Sequence, residues 1–185
     1  FLHWNISNTS NVSVSGNYAY VFNYDSLHII DISNPLLPVQ VSKVFISYSP
    51  GATLFLYGNF VYVYDDSNGN YQSWNVSNPS NPVLAGSTSI NFNANAYSSQ
   101  SIYVNPNYAF IDDNINFSTS SIDVIDVSNP SSTTYVGRFL EAQQNTAVCS
   151  SGNNVFVSGA TPTKYEIISI YDISNPAFPT QGGGD

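Results

Sequence analysis

Apolar and polar residues alternate with a period of two along most of the chain, which predicts strands rather than helices. The alternation restarts at matching places. Gly16-Asn17 precedes Tyr18-Ala19-Tyr20-Val21, Gly58-Asn59 precedes Phe60-Val61-Tyr62-Val63, Pro106-Asn107 precedes Tyr108-Ala109-Phe110-Ile111, and Gly152-Asn153 precedes Asn154-Val155-Phe156-Val157. Gly-Asn is hairpin chemistry, and alternating aromatic and small or β-branched residues behind it form a strand. A short strand leads into each turn, at Asn11 to Val14, Thr53 to Leu56, Ser101 to Val104 and Thr146 to Cys149.

Behind each hairpin an apolar run ends in a second marker. It reads Asp31-Ile32-Ser33-Asn34-Pro35, Asn75-Val76-Ser77-Asn78-Pro79, Asp126-Val127-Ser128-Asn129-Pro130 and Asp172-Ile173-Ser174-Asn175-Pro176. Ser and Asn side chains bond nearby amides while Pro forbids further pairing, so each marker ends a strand. The markers stand about 45 to 50 residues apart, near the period of a propeller blade. A second Pro often follows (Pro38, Pro82, Pro179), then a further strand such as Val39 to Ile46, Val83 to Ile90 or Tyr135 to Leu140. Each unit is therefore a four-stranded antiparallel meander. The whole reads as one all-β domain, a four-bladed β-propeller with blades at 11–50, 51–96, 97–143 and 144–181, an extra strand within 1–10 and a Gly-rich tail at 182–185.

Composition narrows what such a fold does. Of 185 residues, 42% are hydrophobic and 15% aromatic, enough to fill a core as one domain. Only 8% are charged, the net charge is −9, and the basic residues Lys43, Arg138 and Lys164 are scattered. Such a surface gains no counterion-release free energy from phosphates and is repelled by anionic lipid, so nucleic acid and acidic membranes are poor partners. No apolar run approaches a membrane span, which argues against membrane insertion. Low charge with abundant Asn, Ser and Thr fits a secreted protein. Cys149 is alone, so no internal disulfide forms, and its setting Ala147-Val148-Cys149 reads as a buried small hydrophobe.

In these units the chain resembles the LVIVD-repeat β-propellers. Gly16 to Pro38 follows the pattern almost throughout: Gly-Asn-Tyr-Ala-Tyr-Val, a strand ending in Ile-Ile-Asp-Ile-Ser-Asn-Pro, then a second Pro and an outer strand. The likeness covers about nine tenths of the chain. It departs where Pro106 replaces the turn Gly, where Thr133 replaces the second Pro, and at both ends. The resemblance implies the propeller fold and an extracellular or cell-surface setting, and it is nearly silent on activity.

The ends carry a strand count of their own. A decayed marker, Asn5-Ile6-Ser7-Asn8-Thr9, opens the chain, and its link to Gly16 is less than half as long as the interior links from Asp31 to Gly58 or Asp126 to Gly152. About one strand and its turn is missing there. Beyond Pro179 the chain runs into Gly182-Gly183-Gly184-Asp185, where the fourth strand of the last blade is due. The spare strand Phe1, Leu2, His3, Trp4, Asn5, Ile6 fits that vacancy, either in its own molecule or in a neighbour, and head-to-tail exchange without closure gives a homopolymeric fibre. With no initiator Met and no signal peptide, the chain reads as processed or as a piece of something longer.

Candidate chemistry is sparse. Asn5, Asn8, Asn11, Asn75 and Asn116 each fit the N-glycosylation pattern, and the first three crowd around the spare strand. Asn5 and Asn75 stand where the other markers carry Asp, which suggests a rim position, although an Asn that caps its turn is poorly placed to carry a sugar. Asp65-Asp66-Ser67-Asn68-Gly69-Asn70 has the oxygen spacing of a calcium loop, but its twelfth position is Val76, or Ser77 counted from Asp66, and not Glu. Turn chemistry explains it better, so no metal site is assigned. His3 and His28 fall within strands, the Asp123–Asp126 pair reads as repeat structure plus turn cap, and no nucleophile elbow, histidine-pair motif or phosphate loop appears. No catalytic residue and no cofactor follow from this. Trp4 and Trp74 occupy a packing position that Ile30, Ile125 and Tyr171 fill elsewhere.

The expectation is a non-enzymatic extracellular structural protein: a glycosylated cell-surface propeller carrying N-linked glycans, self-associating, and extending to a fibre through Phe1 to Ile6. The alternative is an extracellular binding module that meets carbohydrate or protein through loops at Asp65 to Asn70 and Asn91 to Gln100.

Overall fold

The structure is a computed structural model and describes residues 9–23, 25–46, 52–65, 68–90, 99–116, 119–141, 144–161 and 164–182. Four antiparallel sheets of four strands follow one another in sequence order. The first contains β1 (Thr9–Ser15), β2 (Tyr18–Asn23), β3 (Ser26–Asp31) and β4 (Val39–Phe45). The second contains β5 (Thr53–Tyr57), β6 (Phe60–Asp65), β7 (Asn70–Asn75) and β8 (Val83–Ser89). The third contains β9 (Ser99–Val104), β10 (Tyr108–Asn116), β11 (Thr119–Asp126) and β12 (Thr134–Glu141). The fourth contains β13 (Gln144–Ser151), β14 (Asn154–Thr161), β15 (Lys164–Asp172) and β16 (Thr180–Gln181). Thr9 and Ser10 thus belong to the first blade, and the spare strand Phe1 to Ile6 lies outside the described residues.

Local chemistry accounts for the turns. Gly16, Gly58 and Gly152 adopt φ of 55°, 58° and 56° between the first two strands of their sheets, a region that costs other residues about 1–2 kcal/mol. Pro106 cannot follow, and Asn105 substitutes a side-chain turn. Its Oδ1 accepts from the Asn107 amide at 2.9 Å and the Tyr108 amide at 2.8 Å.

Alternation gives every sheet two apolar faces, and consecutive sheets bury them against each other. Tyr20, Phe22, Leu27 and Ile29 of the first sheet meet Leu54, Val61 and Val63 of the second. Tyr62, Tyr64 and Tyr71 of the second meet Ile102, Val104, Ile111 and Ile125 of the third. Phe110, Ile122 and Val124 of the third meet Val148, Val155, Val157 and Tyr171 of the fourth. The first strands lie side by side, β1 on β5, β5 on β9 and β9 on β13, so the sheets fan out from a common inner edge as propeller blades do. Among the described residues the first and fourth sheets share no packing comparable to these three seams. Taken over the described residues alone, the four blades form an arc.

The first two seams are also gripped by the marker of the next sheet. The Ser42 hydroxyl donates to the Pro79 carbonyl at 2.7 Å, and the Ser73 hydroxyl to the Pro130 carbonyl. Gly86 leaves room for that second carbonyl: a Cβ there meets it at 2.5 Å, with Ser131 backbone at 3.3 Å. Gly86→Ala is therefore expected to push the second and third sheets apart and cost about 1–3 kcal/mol in thermal or urea unfolding. Gly137, whose Cβ meets only Ala177 backbone at 3.5 Å or more, tolerates Ala far better in the same measurement.

Candidate functional site

The four markers build one repeated rim. In each, the first residue's Oδ1 accepts from the amide two positions on: Ser33 to Asp31 at 2.8 Å, Ser77 to Asn75 at 2.9 Å, Ser128 to Asp126 at 2.9 Å and Ser174 to Asp172 at 2.7 Å. The marker Asn repeats the device, with Asn34 accepting from Leu36 at 3.1 Å and Asn78 from Ser80 at 3.2 Å. Hydrogen bonds from the Ser33 hydroxyl and amide hold the Asp31 carboxyl below its usual range, and Ser174 does the same for Asp172. Two successive side-chain turns make this rim stiff.

Asn75 is capped as the sequence suggested, but the cap uses Oδ1 alone. N-glycosylation takes place on Nδ2, which makes no hydrogen bond among the described residues, so the cap does not obstruct a sugar. Beside it lies a cleft of about 460 Å³ between the second and third sheets, lined by Asn75, Ser77, Asn78, Asn81, Leu84 and Ser131. Val83 and Leu84 are half exposed at its base. Amide and hydroxyl groups around an apolar floor suit a pyranose, which has a polar edge and an apolar face. Asn11 lies half-buried on β1 opposite Phe22, and Asn116 ends β10. Asn5 and Asn8 lie outside the described residues.

The acidic loop is turn chemistry. Asp65 and Asn70 pair across it, Gly69 takes φ 65°, Asn68 Nδ2 donates to Asp65 Oδ2 at 2.7 Å, and the Asn70 amide donates to Asn68 Oδ1 at 2.9 Å. Asp66 and Ser67 lie outside the described residues, as do 91–98 of the other candidate loop. Among the described residues no group of three His, Cys, Asp or Glu side chains is placed to hold a metal ion. His28 is buried, with Nδ1 2.8 Å from Gln40 Oε1 and Nε2 2.9 Å from Asn23 Oδ1, so it ties β3 to β4 and to the end of β2. His3 is outside the described residues. Among the described residues no helix is long and apolar enough to cross a membrane.

Two expectations require correction. Cys149 is exposed, not buried. Val148 takes the inward side of β13 toward the third sheet, alternation turns Cys149 the other way, and no described sheet covers that face. Asp126 is a turn cap, but Asp123 is not. It is fully buried and receives Arg138 Nε and Nη2, both at 2.8 Å, and the Tyr135 hydroxyl at 2.9 Å. Arg138 Nη2 also lies 3.3 Å from Asp113 Oδ2. Burial pushes the Asp123 carboxyl up, opposed by Arg138 and Tyr135. Burial also acts to lower Arg138, but the hydrogen bonds and charge of Asp123 more than offset it and keep the guanidinium charged. The signal available in sequence was a carboxylate interrupting the apolar run of Ile122, Val124 and Ile125 in a strand between two others.

The last sheet differs by one element from the strand count. Its fourth strand has begun: Thr180 pairs with Asp172, Gln181 with Tyr171, and the Gly182 amide donates to the Ile170 carbonyl at 2.8 Å. The edge of β15 from Ser169 back to Lys164 has no strand beside it among the described residues, which narrows the vacancy for Phe1 to Ile6.

Solved structures with this arrangement are β-propeller-like. A protein of Bacteroides fragilis provisionally assigned as a 6-phosphogluconolactonase superposes with a TM-score of 0.75 at 14% identity, over 94% of this chain and 53% of its own. A protein of Desulfotomaculum acetoxidans without known function gives 0.72 at 13%, over 98% and 57%, and Hsv2p of Kluyveromyces lactis gives 0.62 at 14%, over 94% and 51%. This chain spans about half the length of the solved structures it matches. It is thus a β-propeller repeat protein by fold. The LVIVD repeat model matches residues 7–45, 52–89 and 97–141, about two thirds of the chain, and the protein belongs to the LVIVD repeat family. No curated protein matches the sequence.

Proposed function

We propose that this protein is a non-enzymatic structural module of the cell exterior, a glycan-bearing propeller that works by associating with copies of itself. The observation that carries this reading is a set of apolar side chains in the first and last sheets that stand in solvent where their counterparts in interior sheets are buried, although Ala19, Val21 and Ile30 beside them in the first sheet are covered. Ile168 and Ile170 of the last sheet are exposed, as are Val12 and Val14 of the first. The spare strand Phe1 to Ile6, the low charge and the sequons at Asn5, Asn8, Asn11, Asn75 and Asn116 support the same assignment. The lactonase assignment of one neighbour stays with that protein, because at 14% identity a shared fold carries no chemistry.

The cleft beside Asn75 favours a second reading, a binding module for carbohydrate. The two readings exclude each other at that place, since a glycan on Asn75 Nδ2 fills the cleft that a free sugar would enter. Secretion of the chain from a eukaryotic host, followed by peptide mass and sedimentation, tests them. The structural reading expects a glycan mass on the Asn75 peptide and particles heavier than one chain. An unmodified Asn75 together with a particle of one chain overturns it in favour of the binding module.

A further inference from the structure

Resting on the glycan just proposed at Asn75, we infer that its first sugar is a structural clamp: the pyranose joined to Nδ2 lies over Leu84 in the cleft, meets Ser131, and holds the second and third sheets together. Three departures from the repeat carry this, and all three line that cleft.

The first two are in the marker. The second marker begins with Asn, where Asp31, Asp126 and Asp172 stand in the others. The exchange keeps the cap, since Oδ1 accepts from the Ser77 amide at 2.9 Å, and it replaces the other carboxylate oxygen with a nitrogen that takes a sugar. In the three Asp markers the serine hydroxyl also bonds the carboxylate, as the Ser128 hydroxyl does to Asp126 Oδ1 at 2.6 Å. The Ser77 hydroxyl makes no hydrogen bond among the described residues. It is free to bond a sugar in the cleft that it lines.

The third departure is on the outer strand. Gln40, Leu84 and Tyr135 share one register position, opposite Ile30, Trp74 and Ile125. Gln40 bonds His28 at 2.8 Å and the Tyr135 hydroxyl donates to Asp123 at 2.9 Å, each within its own sheet. Leu84 has no such partner and stands 46% exposed, beside Val83, which pairs directly with Asn75. The second sheet thus puts an apolar floor next to the one marker that offers an amide.

A tethered pyranose suits this place. Its C–H face covers Leu84 and Val83 while its hydroxyl edge reaches Ser77 and Ser131, and a sugar already held by a covalent bond gives up no translational freedom on seating. Attachment forms a bond from Nδ2 to the anomeric carbon of a phosphate-activated sugar donor; Nδ2 loses one proton and the phosphate leaves with the bonding pair. Ser131 belongs to the third marker, whose Pro130 carbonyl already takes the Ser73 hydroxyl of the second sheet. The sugar extends that grip across the seam.

Thermal unfolding of the 185-residue chain secreted from a eukaryotic host tests this. Asn75→Asp and Ser77→Ala each remove the glycan and keep the cap, the first by restoring the residue of the other markers and the second because the cap uses the Ser77 backbone amide. Both are expected to melt about 2–4 °C below the glycosylated wild type. Leu84→Ser lowers the melting temperature by a similar amount when the sugar is present and by under about 1 °C in the Asn75→Asp background, because only the sugar couples the two positions. Exchange of the Ser132 amide, which donates to the Asn129 carbonyl at 2.9 Å in the third sheet's marker, slows at least about threefold when the sugar is attached to the second sheet. An unmodified Asn75 peptide overturns the clamp and the glycan together. A glycan on Asn75 with equal melting of wild type and Asn75→Asp, or a Leu84→Ser loss that persists without the sugar, overturns the clamp and leaves the glycan standing. Should a variant fail to fold, an amidase that strips the sugar from the folded wild type and leaves Asp at position 75 makes the same comparison.

Discussion

Arg138→Ala lowers the unfolding free energy by about 3 kcal/mol at pH 7, read from urea denaturation. The side chain bridges two carboxylates that are themselves fully buried, Asp123 through two 2.8 Å hydrogen bonds and Asp113 at 3.3 Å. Removing one partner of a buried ion pair leaves the other charge without its counter-ion in a poorly solvated place, which costs about 3–5 kcal/mol. The guanidinium side chain keeps 21% of its exposure, so water partly fills its place and the lower end of that range applies. Arg138→Lys falls between, since an ammonium keeps the charge but cannot reproduce the two-pronged geometry. The deficit also depends on pH with a definite sign. Without the guanidinium, a carboxyl that burial already pushes up is held further above its unfolded value of 3.8, so the folded state is penalised above that pH. Below it both states are protonated and the penalty vanishes, so Arg138→Ala approaches wild type as the solution is acidified from pH 7 toward 4. A deficit unchanged over that range would falsify the electrostatic account and leave lost packing as the cause.

The repeat was legible because its information is local. A period of two, a turn before each second strand and a capped proline after each third strand are properties of ten-residue stretches, and Asp31, Asn75, Asp126 and Asp172 end their strands where the markers place them. Outer strands expected from Val39, Val83 and Tyr135 begin at Val39, Val83 and Thr134. What sequence did not show is non-local. The partner of Asp123 lies on the next strand, and the partner of Cys149's face is no described part of the chain. Alternation says that Val148 and Cys149 face opposite ways, but not which of the two faces a neighbour. The rotation between sheets is set by how Tyr62, Tyr71 and Phe110 fill the seams, and a count of strands carries no information about that angle. Hence meanders could be counted from the sequence, while how the first and fourth sheets stand to each other could not.

Ile122 and Ile168 stand at one register position of their sheets, each four residues before its marker and opposite Asp112 and Ser158, and together they separate fold from assembly in a second experiment. Ile122→Ala is expected to cost about 3 kcal/mol, within the 2–5 kcal/mol range for deleting a fully buried branched side chain, because the third and fourth sheets close over it and collapse only partly into the cavity. Ile168→Ala removes the same atoms at the same register position, yet in a single chain that side chain is 68% exposed. Surface deletions of this kind stay within about 0.5 kcal/mol. At dilutions where copies separate, thermal unfolding therefore distinguishes two chemically identical changes by about 2–3 kcal/mol. At concentrations where copies associate, the Ile168→Ala deficit grows with protein concentration while the Ile122→Ala deficit does not, because only the former is coupled to an equilibrium between chains. Equal deficits at every concentration would mean that the face of the last sheet carrying Ile168 is already covered within one molecule, and self-association through it would fall.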